Sequence, residues 1–215
     1  MIRRLAVLGA GVMGSEIAQT AAAGGVEVVL FDAVPAALEQ GMAHVASIGE
    51  RRVARGRMSE EEARAVLGRV TTASEDAALA DCDLAIEAVP EVMDIKRQVF
   101  RRLDAALPPH ALLATNTSGL SVSEMAAETG RPEQVVGLHF FNPASVMKLV
   151  EVIRGTATSE ATMSAAETLA SSLGKVPVRV RECPGFLVNR VLVRALAGAY
   201  ARARPRRWGR SPWAT

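Results

Sequence analysis

A short apolar strand, Leu5–Leu8, runs straight into Gly9-Ala10-Gly11-Val12-Met13-Gly14, and an alanine-rich helical stretch from Ser15 to about Ala23 follows. Gly24-Gly25 stops that stretch, Glu27–Phe31 reads as the next strand, and Asp32 closes it. Strand, G-x-G-x-x-G, helix, strand and acid in this order leave few folds open, because each part has a mechanical task. Gly9 makes the tight turn, Gly11 lets backbone approach a pyrophosphate, and Gly14 lets the helix press on the strand. The helix then offers free N–H groups and the positive end of its dipole to the phosphates. Asp32, roughly twenty positions past Gly14, is placed to accept hydrogen bonds from an adenosine ribose, and its charge repels a 2′-phosphate. The stretch reads as a dinucleotide site favouring NAD over NADP, with a phosphate-free tight turn as the plainer alternative.

The alternation continues along the chain. Pro35 to Leu67 has helical periodicity broken near Gly56, and Ser59 with Glu62 three positions on forms a capping box. Two helices making an arm fit this stretch better than a simple crossover. The first carries Arg51, Arg52, Arg55 and Arg57, a cluster that suits a phosphorylated substrate or, more plainly, a solvated face. Strands follow at Val70–Thr72, Leu84–Val89, Leu112–Thr115, from Val135 to His139, Leu149–Arg154 and Val176–Arg181, with helices between most of them. Repeated βα units predict a Rossmann-like, doubly wound, mostly parallel α/β sheet.

In open sheets of this kind ligands sit at the carboxyl ends of the strands. His139 ends one strand and Glu151 lies on the next, so an imidazole and a carboxylate can meet over the cleft as an oriented base. The plainer reading makes His139 a hydrogen-bonded core histidine and Glu151 a solvated strand residue. Asn116-Thr117-Ser118 follow the Leu112–Thr115 strand and line the same crevice. No G-x-S-x-G elbow surrounds Ser118, so it suits holding a substrate oxygen rather than attacking one. A helix-capping turn is the competing explanation. Glu91 and Lys96 stand where they can contact a nicotinamide ribose, or form an ordinary exposed pair.

With these residues in view, the chain resembles the NAD-dependent 3-hydroxyacyl-CoA dehydrogenases, and 3-hydroxybutyryl-CoA dehydrogenases among them. The resemblance rests on GAGVMG with Asp32, EAVPE (87–91), NTS (116–118), GLHFFNP (137–143), the MKLVEVI run around Glu151, and PGFLVNR (184–190). It spans residue 4 to about residue 193. It implies oxidation of an L-3-hydroxyacyl-CoA to the 3-ketoacyl-CoA with NAD as cofactor. His139 would be the base, Glu151 the carboxylate orienting it, and Ser118 and Asn189 the groups holding substrate oxygens. Glu91, Lys96, Asn116 and Asn142 fall on positions lining the nicotinamide side. The family's CoA-contacting serine and lysine fall on or near Gly49 and Gly56, so Arg52 and Arg55 are the remaining candidates. No metal site is expected.

The resemblance ends near Val193, where family members continue into a helical domain that closes the cleft and supplies a homodimer interface. Residues 1–183 are thus expected to form the NAD-binding domain, residues 184–200 the first helix of that second domain, and residues 201–215 an irregular basic tail. Six arginines and no acid lie from Arg194 to Thr215, so the overall charge of +2 hides a mildly acidic body. The tail reads as a shifted frame or aberrant terminus; nucleic-acid or membrane binding is the weaker alternative, and neither partner is expected. On this basis NAD binding should survive in weakened form while turnover is much reduced, which leaves a non-catalytic NAD-binding fragment as the alternative. A relative acting on free hydroxy acids is a further one. Apolar content of 49% against 22% charged residues excludes wholesale disorder. The run after Met1 is too short for a signal peptide, no window is long enough to span a membrane, and Cys82 and Cys183 form no CxxC pair. A cytoplasmic enzyme is expected.

Overall fold

The computed structural model describes residues 2–203; the expected tail from residue 204 onward lies outside them. Strands β1 (Arg4–Leu8), β2 (Glu27–Phe31), β3 (Val70–Ala73), β4 (Leu84–Glu87), β5 (Leu112–Thr115), β6 (Val135–Phe140), β7 (Leu149–Arg154) and β8 (Val176–Arg181) make one sheet. Its order is β3-β2-β1-β4-β5-β6-β7-β8. Neighbours are parallel throughout except β6 and β7, which run antiparallel.

The inner strands, buried on both faces, are apolar almost without interruption, as parallel sheets require, while the edge strands β3 and β8 expose Thr71, Thr72, Arg179 and Arg181. Leu5, Val7, Leu30, Leu84 and Leu138 face one core; Ala6, Leu8, Val29, Ala85 and Leu113 face the other. The first core is covered by α1 (Val12–Ala23), α2 (Pro35–Ala54), α3 (Glu60–Gly68) and α6 (Glu160–Ser172). The second is covered by α4 (Met93–Ala106) and α5 (Val122–Ala126). Fully burying one such leucine stabilises the fold by about 1.5–3 kcal/mol. The doubly wound architecture and the helical arm are therefore as expected.

Local signals account for the element ends. Pro35 starts α2 from its first turn. Ser59 and Glu62 form both bonds of the capping box at α3, at 3.1 and 2.7 Å. β4 stops at Glu87, two residues short of the expected end, because the Glu87 carboxylate turns back to accept the Val89 N–H at 2.7 Å. The last helix, α7 (Val188–Ala203), continues three residues into the stretch expected as tail. It exposes Val191, Leu192, Val193 and Leu196. Among the described residues no helix is long and apolar enough to cross a membrane.

Candidate active site

The parallel order of β1, β4, β5 and β6 brings their carboxyl ends to one edge. There Gly9 adopts φ +101°, and a Cβ on it would stand 2.7 Å from the Ala88 carbonyl oxygen. A Cβ on Gly14 would stand 1.8 Å from the Gly9 carbonyl oxygen. The turn and helix α1 thus pack closely only because both residues are glycine. Gly11 is different: it is exposed, and nothing lies within 4 Å of where its Cβ would be. α1 also starts there without a side-chain cap, so no capping side chain takes up the N–H groups of its first turn. Asp32 accepts Ala10 N–H at 2.8 Å and Val34 N–H at 3.0 Å. A carboxylate has about four acceptor positions, so two stay available for ribose hydroxyls. A dinucleotide fits this cradle: Gly11 and the α1 N-terminus would hold its pyrophosphate, and Asp32 its adenosine ribose.

His139 and Glu151 are directly paired across the antiparallel β6–β7 ladder. His139 Nδ1 lies 2.7 Å from Glu151 Oε2. Glu151 is fully buried, and its Oε1 accepts the N–H groups of Leu187 and Val188 at 2.9 and 2.8 Å. The same carboxylate that faces the imidazole therefore receives the start of α7, where negative charge is favoured. The imidazole is 4.5 Å from the Phe141 ring and 5.9 Å from the Phe186 ring, centroid to centroid. Phe186 adopts φ +48°, a conformation costly for a bulky residue, in the turn that presents its ring to His139. Among the described residues no hydrogen-bond partner meets His139 Nε2.

Asn116, Ser118 and Asn189 converge on this edge. Asn116 Oδ1 accepts Phe140 N–H at 2.8 Å and locks the ends of β5 and β6 together. Asn189 Nδ2 donates to the Ser118 carbonyl at 3.2 Å, across 71 positions of sequence. Ser118 N–H and the Thr117 hydroxyl both donate to Glu91 Oε1, at 2.9 and 2.6 Å. Burial works to raise the Glu91 carboxyl, but the Thr117 hydroxyl, the Lys96 ammonium and Ser118 N–H outweigh it and hold the group below its ordinary range. Asn142 is exposed two residues beyond the end of β6.

Lys96, expected on the nicotinamide side with Glu91, lies directly behind Glu91 rather than at the surface. Lys96 is 1% exposed and does not reach the crevice surface. Its ammonium meets Glu87 at 2.6 Å, Glu91 at 3.2 Å and the Val89 carbonyl at 3.3 Å, which occupies all three of its donors. The reason is Glu87: a carboxylate buried in a strand is stable only when paired, and Lys96 together with the Thr115 hydroxyl (2.7 Å) supplies the pairing. Glu87, an acid closing the apolar run Leu84-Ala85-Ile86, is the sequence signal that a buried partner is needed, but it does not say which residue supplies it. Arg52 and Arg55 stand apart from His139, in the wall of a cavity of about 690 Å³ shared with Arg51, Arg57, Lys148 and Lys175. Among the described residues no cluster of potential metal ligands occurs.

Residues 4–183 match the family model described as 3-hydroxyacyl-CoA dehydrogenase, NAD binding domain. A probable 3-hydroxybutyryl-CoA dehydrogenase of Bacillus subtilis is 45% identical over 192 residues, covering 89% of this chain and 67% of that protein. The crystal structure of 3-hydroxybutyryl-CoA dehydrogenase from Escherichia coli K12 superposes with a TM-score of 0.91 at 41% identity, over 94% of this chain and 43% of that one. The (S)-3-hydroxybutyryl-CoA dehydrogenase from Ralstonia eutropha also gives 0.91, at 38% identity, over 93% of this chain and 71% of that one. The chain thus spans about two thirds of the Bacillus relative and less than half of the Escherichia chain. Its glycine cradle, its sheet order and these likenesses agree, and the chain belongs to the 3-hydroxyacyl-CoA dehydrogenase family, whose NAD-binding domain its residues 4–183 form.

Proposed function

We propose that the whole protein interconverts L-3-hydroxyacyl-CoA and 3-ketoacyl-CoA, with His139 as general base. The observation that carries this reading is the 2.7 Å contact between His139 Nδ1 and the buried Glu151, on the same sheet edge as the open glycine cradle. An ionised carboxylate only accepts, so it keeps the proton on Nδ1 and leaves the Nε2 lone pair for the substrate. His139 Nε2 removes the C3 hydroxyl proton, and Glu151 stabilises the imidazolium that results. Bound NAD supplies the acceptor for the C3 hydride. Phe141 and Phe186 hold the ring in one orientation and limit water around it. Ser118 and Asn189 hold the substrate oxygens, a role supported by the bond that joins them. Asn116, Asn142 and Glu91 shape the nicotinamide side, and Lys96 acts there through Glu91.

Arg52 and Arg55 receive the phosphate-bearing end of the thioester, which their place in a cation-lined cavity supports. The proposal extends to a homodimer, since the apolar side chains along α7 need cover, and to the cytoplasm, since both cysteines are free thiols.

A second reading, NAD binding with little turnover by this chain, is favoured by α7. Asn189 rides on a helix whose Val191, Val193 and Leu196 are about 60% exposed, so its geometry has little support. The test measures NADH affinity separately from NADH oxidation driven by acetoacetyl-CoA or by acetoacetate. The expected result is NADH binding, with slow turnover of the thioester and none of the free acid. Equal rates with both would move the substrate class away from CoA thioesters.

A further inference from the structure

The segment joining β6 to β7, Pro143 to Lys148, begins four positions after His139 and directly follows Asn142. Its internal support is one turn, in which the Pro143 carbonyl accepts Val146 N–H at 3.0 Å and Met147 N–H at 2.9 Å. Val146 and Met147 are themselves exposed, by 63% and 42%. Ala144 is buried in the first core, and the Lys148 carbonyl accepts Val176 N–H at 2.7 Å; between these two points the backbone is tethered by two distant charges. Glu16 Oε2, on α1, accepts Ser145 N–H at 2.8 Å. Lys175, just ahead of β8, donates from Nζ to the Ala144 carbonyl and, at 2.9 Å, to the Met147 carbonyl.

Glu16 is 4% exposed within an alanine-rich helix, and a carboxylate so buried is costly unless partnered. Its other oxygen meets His44 Nε2 on α2 at 3.3 Å. Burial lowers the Lys175 pKa, Arg52 lowers it further, and Glu16 works in the opposite direction. An anion therefore grips the donor of the segment and a cation its acceptors. Both are charge-assisted bonds, stronger than neutral ones, and both are anchored in elements that do not belong to the segment.

We propose that Glu16 and Lys175 are positioning residues forming a charged clamp, which fixes the Pro143–Lys148 segment and thereby sets Asn142 against the nicotinamide half of bound NAD. The inference rests on the reading of Asn142 as a nicotinamide-side residue. It assigns no contact with the cofactor to either clamp residue, so the two halves of the cofactor should respond differently when the clamp is cut.

The experiment compares NADH with ADP-ribose, which lacks the nicotinamide nucleoside, by titration of the full chain and of Lys175→Met, Lys175→Arg and Glu16→Gln, with thermal unfolding of each. Losing hydrogen bonds to a charged group should weaken NADH roughly 5- to 30-fold in Lys175→Met. ADP-ribose affinity should be unchanged, Lys175→Arg should restore NADH binding, and Glu16→Gln should show the same selectivity to a smaller degree. If one variant fails to fold, the other carries the comparison. Equal loss of both ligands, unchanged NADH affinity, or no recovery in Lys175→Arg would overturn the clamp. Failure of the underlying reading has its own signature: NADH binds the unaltered chain no more tightly than ADP-ribose, and the clamp falls with it.

Discussion

An imidazole presents a lone pair at Nε2 only while Nδ1 carries the proton, and in the proposed mechanism Glu151, 2.7 Å from His139 Nδ1, keeps it there. Replacing Glu151 by Gln tests this directly. A glutamine can keep its carbonyl oxygen toward Leu187 and Val188 N–H, but its amide then faces Nδ1 with a donor. The imidazole answers by moving its proton to Nε2, where a base is needed. Turnover in Glu151→Gln is expected to fall about 10²–10⁴-fold, the usual contribution of a general base, with NADH affinity unchanged. Steady-state rates together with an NADH titration decide it, and loss of affinity in step with rate would make Glu151 structural instead. The pairing of these two residues was legible in the sequence, because a strand ending in His139 and one bearing Glu151 bracket a short connection. The N–H groups that Glu151 takes from the start of α7 were not. They come from residues 36 and 37 positions away, and no local pattern announces them.

At the scale of elements, the turn between β1 and α1 does its work through space that is filled or left open. Gly11 leaves room for a ligand; Gly14 leaves none, with its missing Cβ 1.8 Å from the Gly9 carbonyl. Gly14→Ala must push the start of α1 away from β1, and with it the N–H groups and dipole end meant for phosphates. NADH affinity is expected to fall about tenfold or more, equivalent to ~1.4 kcal/mol. Fluorescence titration measures this; unchanged affinity would show that α1 does not hold the pyrophosphate. Strands and helices were readable here because glycines, prolines and caps mark their ends: β7 and β8 lie where the apolar runs place them. Lys96 was not readable. Which loops meet at the strand edge depends on β4 lying between β1 and β5, and only that order shows Glu87, Glu91, Thr115 and Thr117 gathered around a buried ammonium.

Over the whole molecule, one sheet edge collects the glycine turn from β1, Asp32 from β2, Glu91 after β4, Asn116 and Ser118 after β5, and His139 from β6. The doubly wound fold was implicit in the βα alternation, since parallel strands need crossover helices on both faces. Less visible was how the helical arm and the segment after Asn142 are tied to that edge, because buried Glu16 and half-buried Lys175 look like ordinary surface charges in a string of letters. The proposed mechanism places a base at His139 facing the C3 carbon of a thioester next to bound NAD. The most direct measurement is deuterium transfer from NADH, labelled at its reactive ring carbon, to acetoacetyl-CoA, in single turnovers of the protein and of His139→Asn. The label is predicted at C3 of the hydroxyacyl product, formed about 10²–10⁴-fold more slowly by His139→Asn at unchanged NADH affinity. Equal rates for the two proteins, or label absent from C3, would contradict the account.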